Sequence, residues 1–204
     1  MTQEQIINDA INVYCFGSYV YGVSTEKSDR DYIAIMPNGY NELCEQMHFD
    51  NCDFNLFSED IWVDMCKKNC IETLECAFLD ERYIVKETKK YDLPLNYDFV
   101  RVVISSITSN SFVKAKKKLM VEKDYNPYSG KKSLWHCLRL LMFGIQIMDN
   151  NKILDYTIAN QYYDDIVKNE CVDWEYYKQK YKPIYNHLHS TFKLSHQNAI
   201  NKVY

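Results

Sequence analysis

The pattern of apolar residues changes character at Pro94, and that change constrains the fold more than any other feature of the chain. Before it, apolar residues fall in short, partly alternating runs broken by Gly17-Ser18 and by Pro37-Asn38-Gly39, which is the grammar of strands and turns. After it, they recur at helical spacing almost throughout. Strand signals first and helix signals last predict an α+β protein: a small mixed β-sheet core flanked by helices, then a C-terminal helical region. We therefore expect two parts, residues 1–90 and residues 95–204.

In the first part, residues 2–11 read as a short amphipathic helix with Thr2 as N-cap. Strands are expected at 12–16, 30–36, 43–49 and 52–57, the last two as a pair. Ser58 is placed to cap a helix reaching about Lys68, and a further helix is expected over 71–79. In the second part, helices are expected at 97–121, 131–149, 160–169 and 173–190.

Charge is distributed unevenly. Residues 1–80 hold 4 Lys/Arg against 15 Asp/Glu, whereas residues 111–140 hold 8 against 2. An acidic region and a basic one suggest a cation site together with a phosphate-binding wall, or simply two solvated surfaces. The eight cysteines show no CxxC pair and no zinc-finger spacing, so reduced thiols packed as small hydrophobes are expected. There is no charged-then-apolar N-terminal signal and no apolar run long enough to span a bilayer, so a soluble cytoplasmic protein without membrane partners is expected.

The chemistry is concentrated in Phe16-Gly17-Ser18-Tyr19-Val20-Tyr21-Gly22 and Ser28-Asp29-Arg30-Asp31. Asp29 and Asp31 stand two apart at the start of a strand, so both carboxylates emerge on one face and Arg30 on the other. Like charges side by side repel unless a cation sits between them, and hard oxygen ligands suit Mg²⁺ or Mn²⁺. Gly17 permits close backbone approach, and Ser18 offers a hydroxyl and an N–H to phosphate oxygens. A phosphate cradle beside a metal-binding pair is equipment for phosphoryl-type transfer.

This Gly-Ser turn followed by an Asp-x-Asp strand resembles the signature of the DNA polymerase β-like nucleotidyltransferase superfamily. The resemblance implies a third acidic residue on a later strand. Asp53 in Asn51-Cys52-Asp53-Phe54-Asn55-Leu56-Phe57 fits that place, with Asp50 as its rival. The segment beyond is similar to the stand-alone predicted nucleotidyltransferases of bacteria and large viruses. That likeness implies roles for Asn69 and for Glu75, with Glu72 an alternative to the latter. The same group carries a Lys, His and Arg helix beside its active site. Here Lys132, His136 and Arg139 follow i, i+4, i+7 and share one stripe of a helix. They would hold phosphates of the nucleotide or acceptor; otherwise they form a solvated stripe with His136 satisfied by a neighbour.

The resemblance implies transfer of an NMP from an NTP, ATP among the candidates, to an acceptor hydroxyl. Asp29, Asp31 and Asp53 would hold metal, while Gly17, Ser18, Lys132, His136 and Arg139 would bind phosphate. An RNA or tRNA end is the favoured acceptor, with a protein side chain or a small molecule as alternatives. The helical part would complete the nucleotide/acceptor cleft. The rival from another class is a non-catalytic nucleotide-binding or antitoxin-like regulatory subunit. Lys114, Lys116, Lys117 and Lys118 read as a solvated face or a nucleic-acid patch. His187, His189 and His196 lack acidic or Cys neighbours in sequence and do not make a metal site.

Overall fold

Apolar alternation with a period of two becomes the two faces of a five-stranded sheet. The computed structural model describes residues 1–39 and 45–203 and divides into two units, Met1–Leu95 and Asn96–Tyr204. Residues 43 and 44 of the expected third strand, including Cys44, lie outside the described residues.

In the first unit, helix α1 (Gln3–Asp9) opens on a capping box: Thr2 Oγ1 accepts from the Gln5 N–H, and Gln5 Oε1 accepts from the Thr2 N–H. Strands β1 (Asn12–Phe16), β2 (Arg30–Met36), β3 (Glu45–Phe49), β4 (Cys52–Ser58) and β5 (Ile84–Glu87) lie in the order β3-β4-β2-β1-β5. Only β2 and β4 are parallel, so the sheet is mixed. One face buries Val13, Ala34, Met36, Phe54 and Leu56 against Ile6 and Ala10 of the α1 segment. The other buries Tyr14, Ile33, Ile35 and Phe57 against Trp62, Cys66 and Cys76. Those last three residues belong to α2 (Glu59–Lys67) and α3 (Ile71–Ala77).

Two details depart from the sequence expectation. Ser58 does occupy the cap position of α2, yet its hydroxyl donates to Asp60 Oδ1 at 2.5 Å. The acceptor for the Asp60 N–H is Asn38 Oδ1 instead, at 2.9 Å. Strand β5 was not expected: it has four residues, two of them charged, and is held by β1 across a bulge. The fully buried Asn12 fixes its exit, accepting from the Thr88 and Lys89 N–H groups and donating to Lys89 O and to the Tyr14 hydroxyl.

The second unit is built on α4 (Tyr97–Met120), α5 (Pro127–Asn150) and α6 (Trp174–Val203). Helix α5 begins four residues before the expected 131, because Asn126 caps it and Pro127 takes a first-turn position that needs no N–H. Gly130 therefore lies inside the helix, where a Cβ would stand 3.0 Å from Leu119 Cγ and 3.2 Å from Ala115 O of α4. Gly144 plays the same part farther along, against Phe192 and Ile104. Asn151, at φ 62°, closes α5 in the left-handed conformation. The expected helix over 160–169 is a 3₁₀ turn at Asn160–Tyr162 and a π-helical turn at Asp164–Lys168. Helix α6 carries Pro183 within it and continues beyond the expected 190 to Val203. All seven described cysteines are free thiols, and no helix among the described residues is long and apolar enough to cross a membrane.

Candidate active site

Strand register assembles the acidic residues. Across the sheet, Phe16 pairs with Asp31, Asp31 with Asp53, and Asp53 with His48. Directly paired residues on neighbouring strands share a face, so these four form one row. Alternation along β2 and β4 puts Asp31 on the face of Ile33 and Ile35, and Asp53 on the face of Phe57, which is the α2/α3 face. Register pairs Asp53 with Asp31 and leaves Asp50 in the turn between β3 and β4.

The turn after β1 wraps round Asp31. Gly17–Tyr19 is a 3₁₀ turn in which the Val20 and Tyr21 N–H groups donate to Gly17 O. Gly17 has φ 73°, a conformation that L side chains rarely adopt. A Cβ built on it would overlap Asp31 Oδ2 and stand 2.8 Å from Asp31 Cγ and 3.0 Å from Asp31 Cβ. The carboxylate of Asp31 thus occupies the space a side chain at position 17 would need. Gly22 (φ 68°) turns the chain back, and the Val23 N–H closes the loop on Ser18 O at 3.0 Å. Tyr21 anchors the turn from below: its hydroxyl donates to Glu75 Oε2 of α3 at 2.5 Å, and both residues are buried. Glu72, the alternative to Glu75, is half-buried on the same helix. Asn69, fully buried at φ 51°, donates from Nδ2 to Cys66 O and Pro94 O, which makes it a brace of the α2–α3 corner.

Asp29 lies one residue before β2 and is exposed. It is within electrostatic reach of the β4 start, because burial, then Asp53, then Asp29 push the Cys52 thiol up. Arg30 stands on the other face, with its guanidinium 5.2 Å from the Tyr19 ring centroid. His48 Nδ1 lies 2.9 Å from Asp53 Oδ1. Sequence reasoning passed over His48, although the two-residue Asp50-Asn51 turn places residue 48 opposite residue 53 once the hairpin is drawn. Among the described residues, no three His, Cys, Asp or Glu side chains converge as a formed metal-ligand set. The donor chemistry nevertheless fits a hard divalent cation, since Mg²⁺ takes one or two carboxylates and completes its shell with water and phosphate.

The three residues expected on one stripe of α5 divide in two. Lys132 is exposed, with Nζ 5.2 Å from the Tyr128 ring centroid. Arg139 is buried, its guanidinium 5.3 Å from the Trp135 ring and 5.2 Å from the Phe143 ring. Its Nη2 donates to His136 Nδ1 at 2.8 Å. Burial first, then the charges of Arg139 and Lys114, push the His136 imidazole down to about 3. A separate cavity of about 310 Å³ in the first unit is lined by Tyr14, Trp62, Cys66, Glu87 and Tyr91 among others, and by none of the acidic row or the Gly-Ser turn.

No family model matches the chain, and no curated protein matches it. Among solved structures it is similar to spectinomycin adenyltransferase AAD(9) from Enterococcus faecialis, solved with ATP and spectinomycin. The two are 13% identical over 93% of this chain and 96% of that one, with a TM-score of 0.47. So distant a likeness carries no argument about activity, which has to come from the chain's own residues.

Proposed function

We propose that the chain is a metal-dependent nucleotidyltransferase, moving an NMP from an NTP to an acceptor hydroxyl. The observation that supports this best is the Asp31 carboxylate seated in the space left by Gly17, one strand from Asp53. The space left by Gly17 seats the Asp31 carboxylate against the proposed phosphate-binding turn, and strand pairing sets Asp53 beside Asp31. That proximity is what nucleotidyl transfer requires.

Asp31 and Asp53 are assigned as ligands of Mg²⁺ or Mn²⁺, with Asp29 joining them from the run-in to β2. A divalent cation held by these carboxylates supplies charge neutralisation at the triphosphate and lowers the pKa of the acceptor hydroxyl. Gly17 and Ser18 bind β- and γ-phosphate oxygens through backbone N–H groups and the Ser18 hydroxyl. The acceptor oxygen attacks the α-phosphorus, the bond to the α–β bridging oxygen breaks, pyrophosphate leaves, and the hydroxyl proton passes to water. Lys132, His136 and Arg139 are assigned to phosphate binding. Lys132 is available as it stands, whereas His136 and Arg139 have first to give up their mutual hydrogen bond. An RNA or tRNA end is the favoured acceptor, ahead of a protein side chain or a small molecule. Support comes from the charge of the second unit, which holds 16 Lys/Arg against 10 Asp/Glu.

The test is incubation with each NTP labelled in the α-phosphate, Mg²⁺ or Mn²⁺, and cellular RNA, protein or small-molecule fractions. Label entering one fraction, and lost with EDTA and in Asp31→Asn, is expected. The second reading is a non-catalytic nucleotide-binding or antitoxin-like subunit. Metal-dependent NTP binding without transfer in any fraction would select it.

A further inference from the structure

Helices α4 and α6 of the second unit run antiparallel: Asp98 meets His196 at one end, and Phe112 meets Tyr185 and Trp174 at the other. Between them lies a groove of about 410 Å³ lined by Arg101, Val102 and Ser105 from α4 and by His189, Phe192 and Lys193 from α6. Each helix contributes an i, i+4 pair, Arg101/Ser105 and His189/Lys193, so the polar groups converge from two walls. Phe192 is the floor, packed on Gly144 of α5, and Val102 is an exposed apolar wall.

No carboxylate lines this groove. Four cations of the unit outside the groove stand in ion pairs: Lys117 with Asp124, Lys168 with Asp164, Lys178 with Glu175, and Lys180 with Asp165. Asp98, three residues before Arg101 on α4, lies 2.9 Å from His196 Nε2. Arg101 and Lys193 have no ion-pair or hydrogen-bond partner among the described residues. Two unpaired cations, a hydroxyl and an imidazole converging on a concave, acid-free surface are an anion site.

The cationic track continues past the groove. Lys182 sits 4.4 Å from the Phe112 ring centroid and 4.5 Å from that of Tyr185, and the Tyr185 ring abuts His189. It lies eleven residues from Lys193 on the same helix, about 16 Å along the axis. One phosphate cannot bridge that distance, and a strand can. Helix α6 holds no carboxylate after Glu175. Cations interleaved with aromatic rings along a seam match the recognition of unpaired strands.

We propose that the α4–α6 groove binds the phosphodiester backbone of single-stranded nucleic acid. This binding goes beyond the transfer reaction and does not depend on it.

The test uses the full chain in EDTA without NTP, so that a failure here is separate from a failure of transfer. Fluorescence anisotropy is followed with a labelled single-stranded RNA of mixed sequence and with the same sequence as DNA. The Arg101→Glu/Lys193→Glu double variant is compared with Lys168→Glu/Lys178→Glu, which makes the same charge change outside the groove. Arg101→Gln/Lys193→Gln serves as a milder pair should charge reversal prevent folding. The groove variants are expected to weaken binding by roughly tenfold or more. Loss of two phosphate contacts should also lower the salt slope by about 1.4, at about 0.7 per contact on a single strand. RNA binding tighter than DNA would identify the strand as RNA, and equal binding a backbone reader; both support the groove. Equal weakening by both charge-reversal pairs would overturn it. So would displacement of the strand by inorganic phosphate or ATP at the same phosphate concentration, since that describes a single-anion pocket.

Discussion

Replacing Gly17 by alanine isolates the contact on which the active-site reading depends. Any L residue at φ 73° carries a backbone cost of about 1–2 kcal/mol. Gly39 supplies the control: its φ is 90°, and an added Cβ meets nothing within 4 Å. Gly39→Ala should therefore show the backbone cost alone. At Gly17 the new methyl also meets Asp31. Rotation of Asp31 about its Cα–Cβ bond can clear Oδ2 and Cγ, but the Cβ at 3.0 Å stays where the β1–β2 pairing holds it. Ordinary carbon contacts lie at about 3.5–4.0 Å, so the turn or the strands must give as well, at about 1–3 kcal/mol more. The expected sum is about 2–5 kcal/mol for Gly17→Ala against about 1–2 kcal/mol for Gly39→Ala, read by urea unfolding. The functional consequence is larger, because the carboxylate that moves is an assigned ligand. Mn²⁺ binding, followed by calorimetry, should weaken about 10–100-fold in Gly17→Ala and stay unchanged in Gly39→Ala. Equal unfolding free energies and equal Mn²⁺ affinities for the two variants would refute the argument.

Tyr21→Phe removes the donor to Glu75 Oε2 in a buried setting and should cost about 1–3 kcal/mol by urea unfolding; a change below a few tenths would show that the bond does not anchor the turn. His136 is held neutral in the folded state, at about 3, against about 6.5 in the unfolded chain. Because the unfolded chain binds a proton that the folded one refuses, stability should fall as pH drops from about 6.5 toward 3. His136→Gln should flatten that part of the profile, and a slope unaltered by the substitution would assign it to other groups. Gly144→Ala puts a methyl 2.6 Å from Phe192 Cε2 and 2.9 Å from Ile104 Cδ1, so overpacking of about 1–3 kcal/mol is expected in thermal or urea unfolding. A neutral or stabilising result would mean that the α4–α5–α6 packing is looser than its distances indicate.

The sequence alone determined the local chemistry. Periodicity marked the strands at 12–16 and 30–36, because alternation is a property of neighbouring residues. The Gly-Ser turn and the Asp pair were legible for the same reason. Strand β5 was not, since four residues with two charges carry little pattern, and only pairing with β1 holds them extended. Nor was the start of α5: Gly130 reads as a breaker until the close approach of α4 requires a residue without a side chain there. Register is a long-range quantity. It decided that Asp53 faces Asp31 while Asp50 sits in a turn, and that His48 joins the row. Tertiary packing also separated Lys132, left exposed, from Arg139, buried beside the Trp135 and Phe143 rings of its own helix, although both shared one stripe of a helical wheel. A wheel gives the angle of a side chain about its own axis. What lies opposite that angle depends on residues distant in sequence, and those settle whether a charge on the helix is buried or left in water.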